Sequence, residues 1–169
     1  MDTNLRLAQA GNPTAFERLL SPYLAGLYGF IRKRVGQMAE DVYQETLLAA
    51  WRALPGFKED ASLKTWLYAI AGYKCADALR RQSRQPRQEE RQEDAAVPGF
   101  EEDSAQRLDV KAALSSLDQE GQDLLYLVYS EGFTQAEAAR ILGIPLGTIK
   151  SRLYHLRRHL KDRLEGERP

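Results

Sequence analysis

The chain is predicted to be all-α, with two small helical domains joined by a flexible acidic linker. Three observations lead to that expectation. Apolar residues recur at helical steps of three and four almost throughout, and no strand alternation stands out. Residues 85–103, QPRQEERQEDAAVPGFEED, break the periodicity with Pro86, Pro98, Gly99 and many acids. Charge is also partitioned. Residues 1–86 carry 12 Lys/Arg against 8 Asp/Glu, residues 87–110 carry 3 against 8, and residues 111–169 carry 9 against 8. Two neutral-to-basic blocks therefore flank an acidic tether, although the formal net charge is zero. The expected boundaries are 1–84, a linker over 85–104, and 105–169.

The first helix should run from Asp2 to Ala10 and stop at Gly11-Asn12. Asn12 then caps a second helix with Pro13 as its first residue. Residues 13–35 should form one helix or two, with any break near Ser21-Pro22, because proline removes a backbone donor. Gly36-Gln37 is a turn. Residues 39–54, AEDVYQETLLAAWRAL, read as a strong helix whose apolar stripe is Tyr43, Leu47, Ala50, Trp51 and Leu54, ended by Pro55-Gly56. After a short loop, Ser62 caps a long helix to about Arg84. Its apolar side includes Leu63, Trp66, Leu67, Ile70, Ala71, Cys75 and Leu79. Beyond the linker, Ser104 to Leu117 and Gln119 to Ser130 should be two further helices.

The most informative stretch is TQAEAARILGIPLGTIKSRLYHLRRHLK, residues 134–161. Thr134 followed three residues later by Glu137 is a capping box. Ala138, Ile141 and Leu142 share an apolar stripe. Gly143 takes positive φ at no steric cost, and Pro145 has a φ preset for a new helix. In that helix Ile149, Leu153, Leu156 and Leu160 face inward. Gly147, Lys150, Ser151, Tyr154, Arg157, Arg158 and Lys161 take the other side, where donors and an aromatic suit groove edges and phosphates. The order of these features is that of a helix-turn-helix. A plain amphipathic hairpin with a solvated basic face is the competing interpretation.

Composition excludes several classes. With only Cys75, no internal disulfide can form, and a reducing compartment is expected. Cys75 itself should be a buried inert thiol. No apolar run approaches 18 residues, so a soluble cytosolic protein is expected. His155 and His159 stand four apart but have no third Cys or His ligand nearby, so neither a metal nor a cofactor is expected. Nothing frames Cys75 as a catalytic nucleophile.

The long helix at 62–84 mixes Lys64, Trp66, Tyr68, Tyr73, Lys74, Arg80, Arg81 and Arg84. Interleaved aromatics and cations suit melted nucleic acid, while Trp66 should be core and the arginines can equally serve their own helix C-terminus. A dimeric regulator with an all-α sensor domain, or a pure interaction module, are the remaining alternatives. A sensor needs a pocket or phosphoacceptor, and the first domain offers an exposed helix instead.

Taken together, AEDVYQETLLAAWRAL, SLKTWLYAIAGYKCADALRR and ILGIPLGTIKSRLYHLRRHL resemble regions 2 and 4 of the bacterial extracytoplasmic-function sigma factors, the minimal alternative sigma subunits of RNA polymerase. The resemblance covers nearly the whole chain in the family's order. It implies that the 39–54 helix docks on the polymerase clamp through Asp41, Gln44, Glu45 and Leu48. It implies that the loop from Phe57 to Ser62 and the helix after it read a melted −10 element, through Phe57, Lys58, Ser62, Lys64, Tyr68, Tyr73, Lys74, Arg80, Arg81 and Arg84, with one flipped base captured. For a double-stranded −35 element it implies Gly147, Thr148, Lys150, Ser151, Arg152, Tyr154, His155, Arg157 and Arg158, with Arg152 and Arg157 on phosphates. The linker would thread polymerase channels. Implied partners are core RNA polymerase, promoter DNA and an anti-sigma factor that can hold the protein at the membrane. No small-molecule substrate is implied, and no catalytic group is needed, because the polymerase performs the chemistry. Where the family has Asn after Trp-Leu-x-x-Ile-Ala, this chain has Tyr73, preceded by Gly72. A tyrosine stacks where asparagine hydrogen-bonds, so an altered −10 preference is expected.

Overall fold

Asp2 accepts a hydrogen bond on its side chain from the Asn4 amide at 2.9 Å, and this cap starts the first helix of the protein. The computed structural model describes residues 2–84 and 112–166, and every regular element among them is helical. The chain divides into two compact units, Met1–Glu93 and Asp94–Pro169. The predicted linker over 85–104 lies outside the described residues.

In the first unit, α1 (Thr3–Gln9) and α2 (Pro13–Leu20) form a hairpin, with the Asn12 side chain accepting from the Ala15 amide at 3.0 Å. Pro13 at the first turn costs nothing, since that amide has no helical acceptor. The chain then tightens into a 3-10 turn, Ser21–Tyr23, before α3 (Leu24–Val35), so the break falls at Pro22 as expected. Gly36, at φ 58°, supplies the left-handed step into α4 (Ala39–Ala53). A second proline turn, Leu54–Gly56, precedes α5 (Leu63–Ser83), whose Ser62 cap accepts from the Thr65 amide at 3.1 Å.

Helices α3, α4 and α5 pack on one another around Leu27, Phe30, Ile31, Leu67, Tyr68, Ala71 and Cys75, all buried. The hairpin adds a cluster of Leu5, Ala8, Ala15, Leu54 and Phe57, with Phe16, Leu19, Leu63 and Trp66 packed against it. Gln9 donates to the carbonyls of Leu54 (3.2 Å) and Phe57 (3.0 Å), tying α1 to the start of the 57–62 loop. Cys75 is fully buried, as expected.

One register differs from the expectation. The buried row of α4 is Ala39, Val42, Thr46 and Ala50, not the row centred on Tyr43, Leu47 and Trp51, which are half-buried. The cause is Thr46, a polar residue at a core position. Its hydroxyl donates to the Val42 carbonyl at 2.7 Å, so it is satisfied without leaving the core. Tyr43 and Trp51 instead flank the seam and pack edge-on against Tyr28 (5.4 Å) and Phe16 (5.0 Å).

In the second unit, residues 112–115 are helical, and the rest of the helix expected from Ser104 lies outside the described residues apart from 116–117, which turn. Asp118 caps α6 (Gln119–Leu125), its carboxylate accepting from the Gly121 amide at 2.8 Å. The expected single helix to Ser130 changes pitch midway, and Tyr126–Ser130 is a π turn. Next comes α7 (Gln135–Leu142), then Gly143 in the left-handed region (φ 67°, ψ 32°), then α8 (Leu146–Gly166). The capping box is complete: Glu137 N–H donates to the Thr134 hydroxyl (3.1 Å), and Thr134 N–H donates to the Glu137 carboxylate (2.8 Å). Pro145 lies just outside α8, and its carbonyl accepts the first helical bond from Ile149 at 3.1 Å.

Candidate nucleic-acid interface

Helix α8 owes its placement to an apolar seam. Ile149 and Leu153 are buried, and Leu156 and Leu160 are half-buried behind them. At about 100° per residue, the opposite side carries Gly147, Lys150, Ser151, Tyr154, His155 and Arg158, all exposed. Tyr154 is 60% exposed, and its ring packs edge-on against His155 at 5.5 Å. These six residues form a solvent-facing strip of donors and one aromatic on a rigid helix. Thr148 sits at its border, half-buried.

Arg152 and Arg157 border the seam on its two opposite sides. Arg152 is ion-paired with Glu120 of α6. Arg157 donates through Nε to the hydroxyl of Tyr129 at 2.5 Å, with its guanidinium 5.7 Å from that ring. Both were expected to be available to phosphates, and the structure gives each a partner within its own unit. His159, further along, lies 3.3 Å from the Ser116 hydroxyl. Sequence reasoning missed Tyr129, which only the π turn brings beside α8.

In the first unit, Asp41, Gln44, Glu45 and Leu48 fall on one outer face of α4 at helical spacing, all exposed. Leu48 is an apolar side chain left 48% exposed among them. Gln44 donates to Glu40 at 3.4 Å, within the same face.

The residues expected at the −10 element divide into two groups. Lys58, Tyr73, Arg80, Arg81 and Arg84 are exposed, with Tyr73 at 65%. Arg80 and Arg81 straddle Asp77, at 3.8 and 2.7 Å. Lys74 is half-buried, and Lys64 lies over the Tyr68 ring at 5.8 Å. Ser62 uses its hydroxyl locally, as the cap and as donor to Thr65 at 2.9 Å. Tyr68 and Phe57, by contrast, belong to the core. Tyr68 is wholly buried against Phe30 (ring centroids 5.5 Å apart), and Phe57 packs on Trp66 (5.1 Å). Burial of a large aromatic outweighs any role at the surface, so these two carry the scaffold beneath the loop.

The 57–62 loop also borders a cleft of about 530 Å³, whose lining includes Arg18, Tyr23, Glu59 and Ser62. Glu59 holds φ at 57°, the one non-glycine among the described residues to do so. A strained loop residue beside a cleft is a feature that recurs at functional sites. Among the described residues no helix is long and apolar enough to cross a membrane.

Comparison with known proteins agrees with this arrangement. Residues 19–85 match the family description "Sigma-70 region 2" and residues 107–160 match "Sigma-70, region 4". The chain is 33% identical over 165 residues to the "Probable RNA polymerase sigma-C factor" of Mycobacterium bovis, covering 92% of this chain and 86% of that protein. It is 29% identical to the "RNA polymerase sigma-H factor" of Pseudomonas aeruginosa, covering 93% and 90%. Among solved structures, the sigma factor RpoE bound to the anti-sigma factor NepR from Bartonella quintana superposes with a TM-score of 0.69 at 28% identity, covering 90% of this chain and 98% of that one. CnrH in complex with the cytosolic domain of CnrY gives 0.65 at 25%, covering 98% and 97%. An order of helices that places a region 2 unit before a region 4 helix-turn-helix is thus shared along nearly the full length, and the chain belongs to the extracytoplasmic-function sigma factors of the sigma-70 family.

Proposed function

We propose that this chain binds core RNA polymerase through the outer face of α4, reads a −35 element with α8, and holds a melted −10 strand along the 57–62 loop and α5. The observation that carries the reading is the outer strip of α8. Gly147, Lys150, Ser151, Tyr154, His155 and Arg158 stand exposed on a helix whose other side is anchored. A small residue near the helix start lets the backbone approach the groove, and the donors behind it suit base edges.

The α4 face supports the first part. Asp41, Gln44 and Glu45 surround Leu48, an exposed apolar side chain that a partner's apolar surface can cover. For the −10 strand, Tyr73 offers a stacking surface and Lys58, Arg80, Arg81 and Arg84 offer charge. The cleft beside Glu59 and Tyr23 provides space for a splayed base. Opening DNA costs about 1.4 kcal/mol per stacking step, and stacking one splayed base returns about 1–3 kcal/mol. Melting is therefore offset only where polymerase holds several such contacts in register. The chain supplies recognition, and the catalysis belongs to the polymerase.

The solved relatives RpoE and CnrH were captured with the anti-sigma factor NepR and with CnrY. By that likeness, an anti-sigma factor controls this chain in the cytoplasm, and a membrane-bound one would hold it at the membrane.

The test is core binding by the wild-type chain and by Leu48→Glu. Retained folding with lost core binding supports the α4 assignment. Equal binding by both would remove it.

A further inference from the structure

We propose that Tyr129 and Arg157 together form a clamp for one DNA backbone phosphate at the edge of the α8 strip. The inference rests on the −35 reading above and adds to it a contact residue from outside the helix-turn-helix.

The π turn creates the arrangement. Across Tyr126–Ser130 the wider pitch puts Tyr126 inward, 5% exposed, and Tyr129 outward, 52% exposed. The turn is held at its end by Glu131 N–H donating to the Tyr126 carbonyl (3.0 Å) and Phe133 N–H donating to the Leu127 carbonyl (3.0 Å). Its Tyr126 hydroxyl donates to Glu131 at 2.9 Å. Tyr129 thus projects from an anchored turn onto the flank of α8.

The hydrogen-bond inventory then points to an anion. Arg157 has five N–H donors, and Nε spends one on the Tyr129 oxygen. Because that oxygen accepts, the phenol's own hydrogen is left to donate outward. Four Nη hydrogens and one phenolic O–H are therefore left close together beside that contact, and none of them meets an acceptor among the described residues. Among the described residues no carboxylate is paired with Arg157, whereas Arg152 on the opposite flank is neutralised by Glu120. A fork of donors with no carboxylate, on exposed surface, matches the chemistry of a phosphate oxygen pair.

Position selects the DNA backbone as the source of that phosphate. Arg157 lies seven residues after Lys150, so nearly on the same line of the helix and about 10 Å further along it. Base-facing residues occupy the first turns, and a flank two turns on is where a strand's backbone borders the groove. Tyr129 also makes the contact cheaper in entropy. It holds the long Arg157 side chain in place before DNA arrives.

The experiment uses holoenzyme assembled from core RNA polymerase and the full chain, on a promoter fragment recovered by that holoenzyme from a pool. Wild type, Tyr129→Phe, Arg157→Gln and the double variant are titrated across salt. Tyr129→Phe is expected to weaken −35-dependent binding about tenfold. Arg157→Gln is expected to lower the salt slope by about one. The double variant should match Arg157→Gln, because the two residues serve one phosphate. Substituting single neutral methylphosphonates along the −35 flank should reveal one position that weakens wild type but not the double variant. Tyr129→Phe equal to wild type, or its effect undiminished in the Arg157→Gln background, would overturn the clamp while leaving the sigma reading intact. A wild-type chain that supports no −35-dependent binding with core would overturn the reading beneath it. Thermal unfolding of Tyr129→Phe should match wild type, and a large loss there would show Tyr129 to be structural, against the proposal.

Discussion

Glu120 of α6 holds the guanidinium of Arg152, and this ion pair makes a brace of a residue expected to touch DNA. Arg152 lies one residue from Ser151, yet at helical pitch that step rotates it from the open strip to the seam. Its positive charge is matched before any phosphate approaches.

Arg152→Ala should therefore change −35 affinity less than threefold and leave the salt slope unaltered, whereas Lys150→Ala should cost about 1–3 kcal/mol and relax specificity at one base pair. Because the two side chains are 40% and 44% exposed, their coupling in a double-mutant cycle with Glu120→Gln should be only about 0.2–1 kcal/mol. A drop of about one in salt slope for Arg152→Ala would restore it as a phosphate contact.

Tyr68 and Tyr73 stand five residues apart on α5 with opposite fates. Tyr68→Ala empties a wholly buried site and should cost about 3–5 kcal/mol in unfolding measurements. Tyr73→Ala, at a position 65% exposed, should stay within about 0.5 kcal/mol while altering promoter opening. Tyr73→Asn should shift −10 preference. Unchanged opening and preference in both Tyr73 variants would count against a −10 role.

The capping box gives a local stability test. Thr134→Ala removes the acceptor for Glu137 N–H and should destabilise the second unit by about 1 kcal/mol in thermal or denaturant unfolding. No loss would mean that α7 is held by packing alone.

Tyr126 gives a pH test. Burial first, and then the Glu131 carboxylate, raise its phenol well above the ordinary tyrosine value. The folded state thus keeps the proton more tightly than the unfolded one. The stabilisation is complete below about pH 10, the unfolded value, and is lost as pH rises toward the folded one. Wild-type stability should decline more steeply above pH 10 than that of Tyr126→Phe, and parallel decline would contradict the assignment.

Much of this was legible in the sequence where local chemistry decides. Asn12, Ser62 and Thr134 cap helices because short polar side chains reach free amides, and Gly143 turns because glycine carries no Cβ strain at positive φ. The two-unit, all-helical plan followed from periodicity. What stayed hidden depends on tertiary packing. Thr46 was absent from the expected apolar stripe of α4, yet a bond to the Val42 carbonyl lets this polar residue lie in the core. Helix α5 has apolar residues around much of its circumference, so nothing local separates Tyr68 from Tyr73. The π turn has the composition of an ordinary helix, so the meeting of Tyr129 with Arg157, 28 residues apart, appears only in the fold.

As a sigma factor, this chain directs core RNA polymerase to promoters. Run-off transcription with purified core enzyme, with and without the chain, on a pool of promoter fragments tests it most directly. Initiation should depend on the chain and arise from fragments sharing a −35 and a −10 element. Absent initiation together with absent core binding would contradict it and favour a dimeric regulator of another kind.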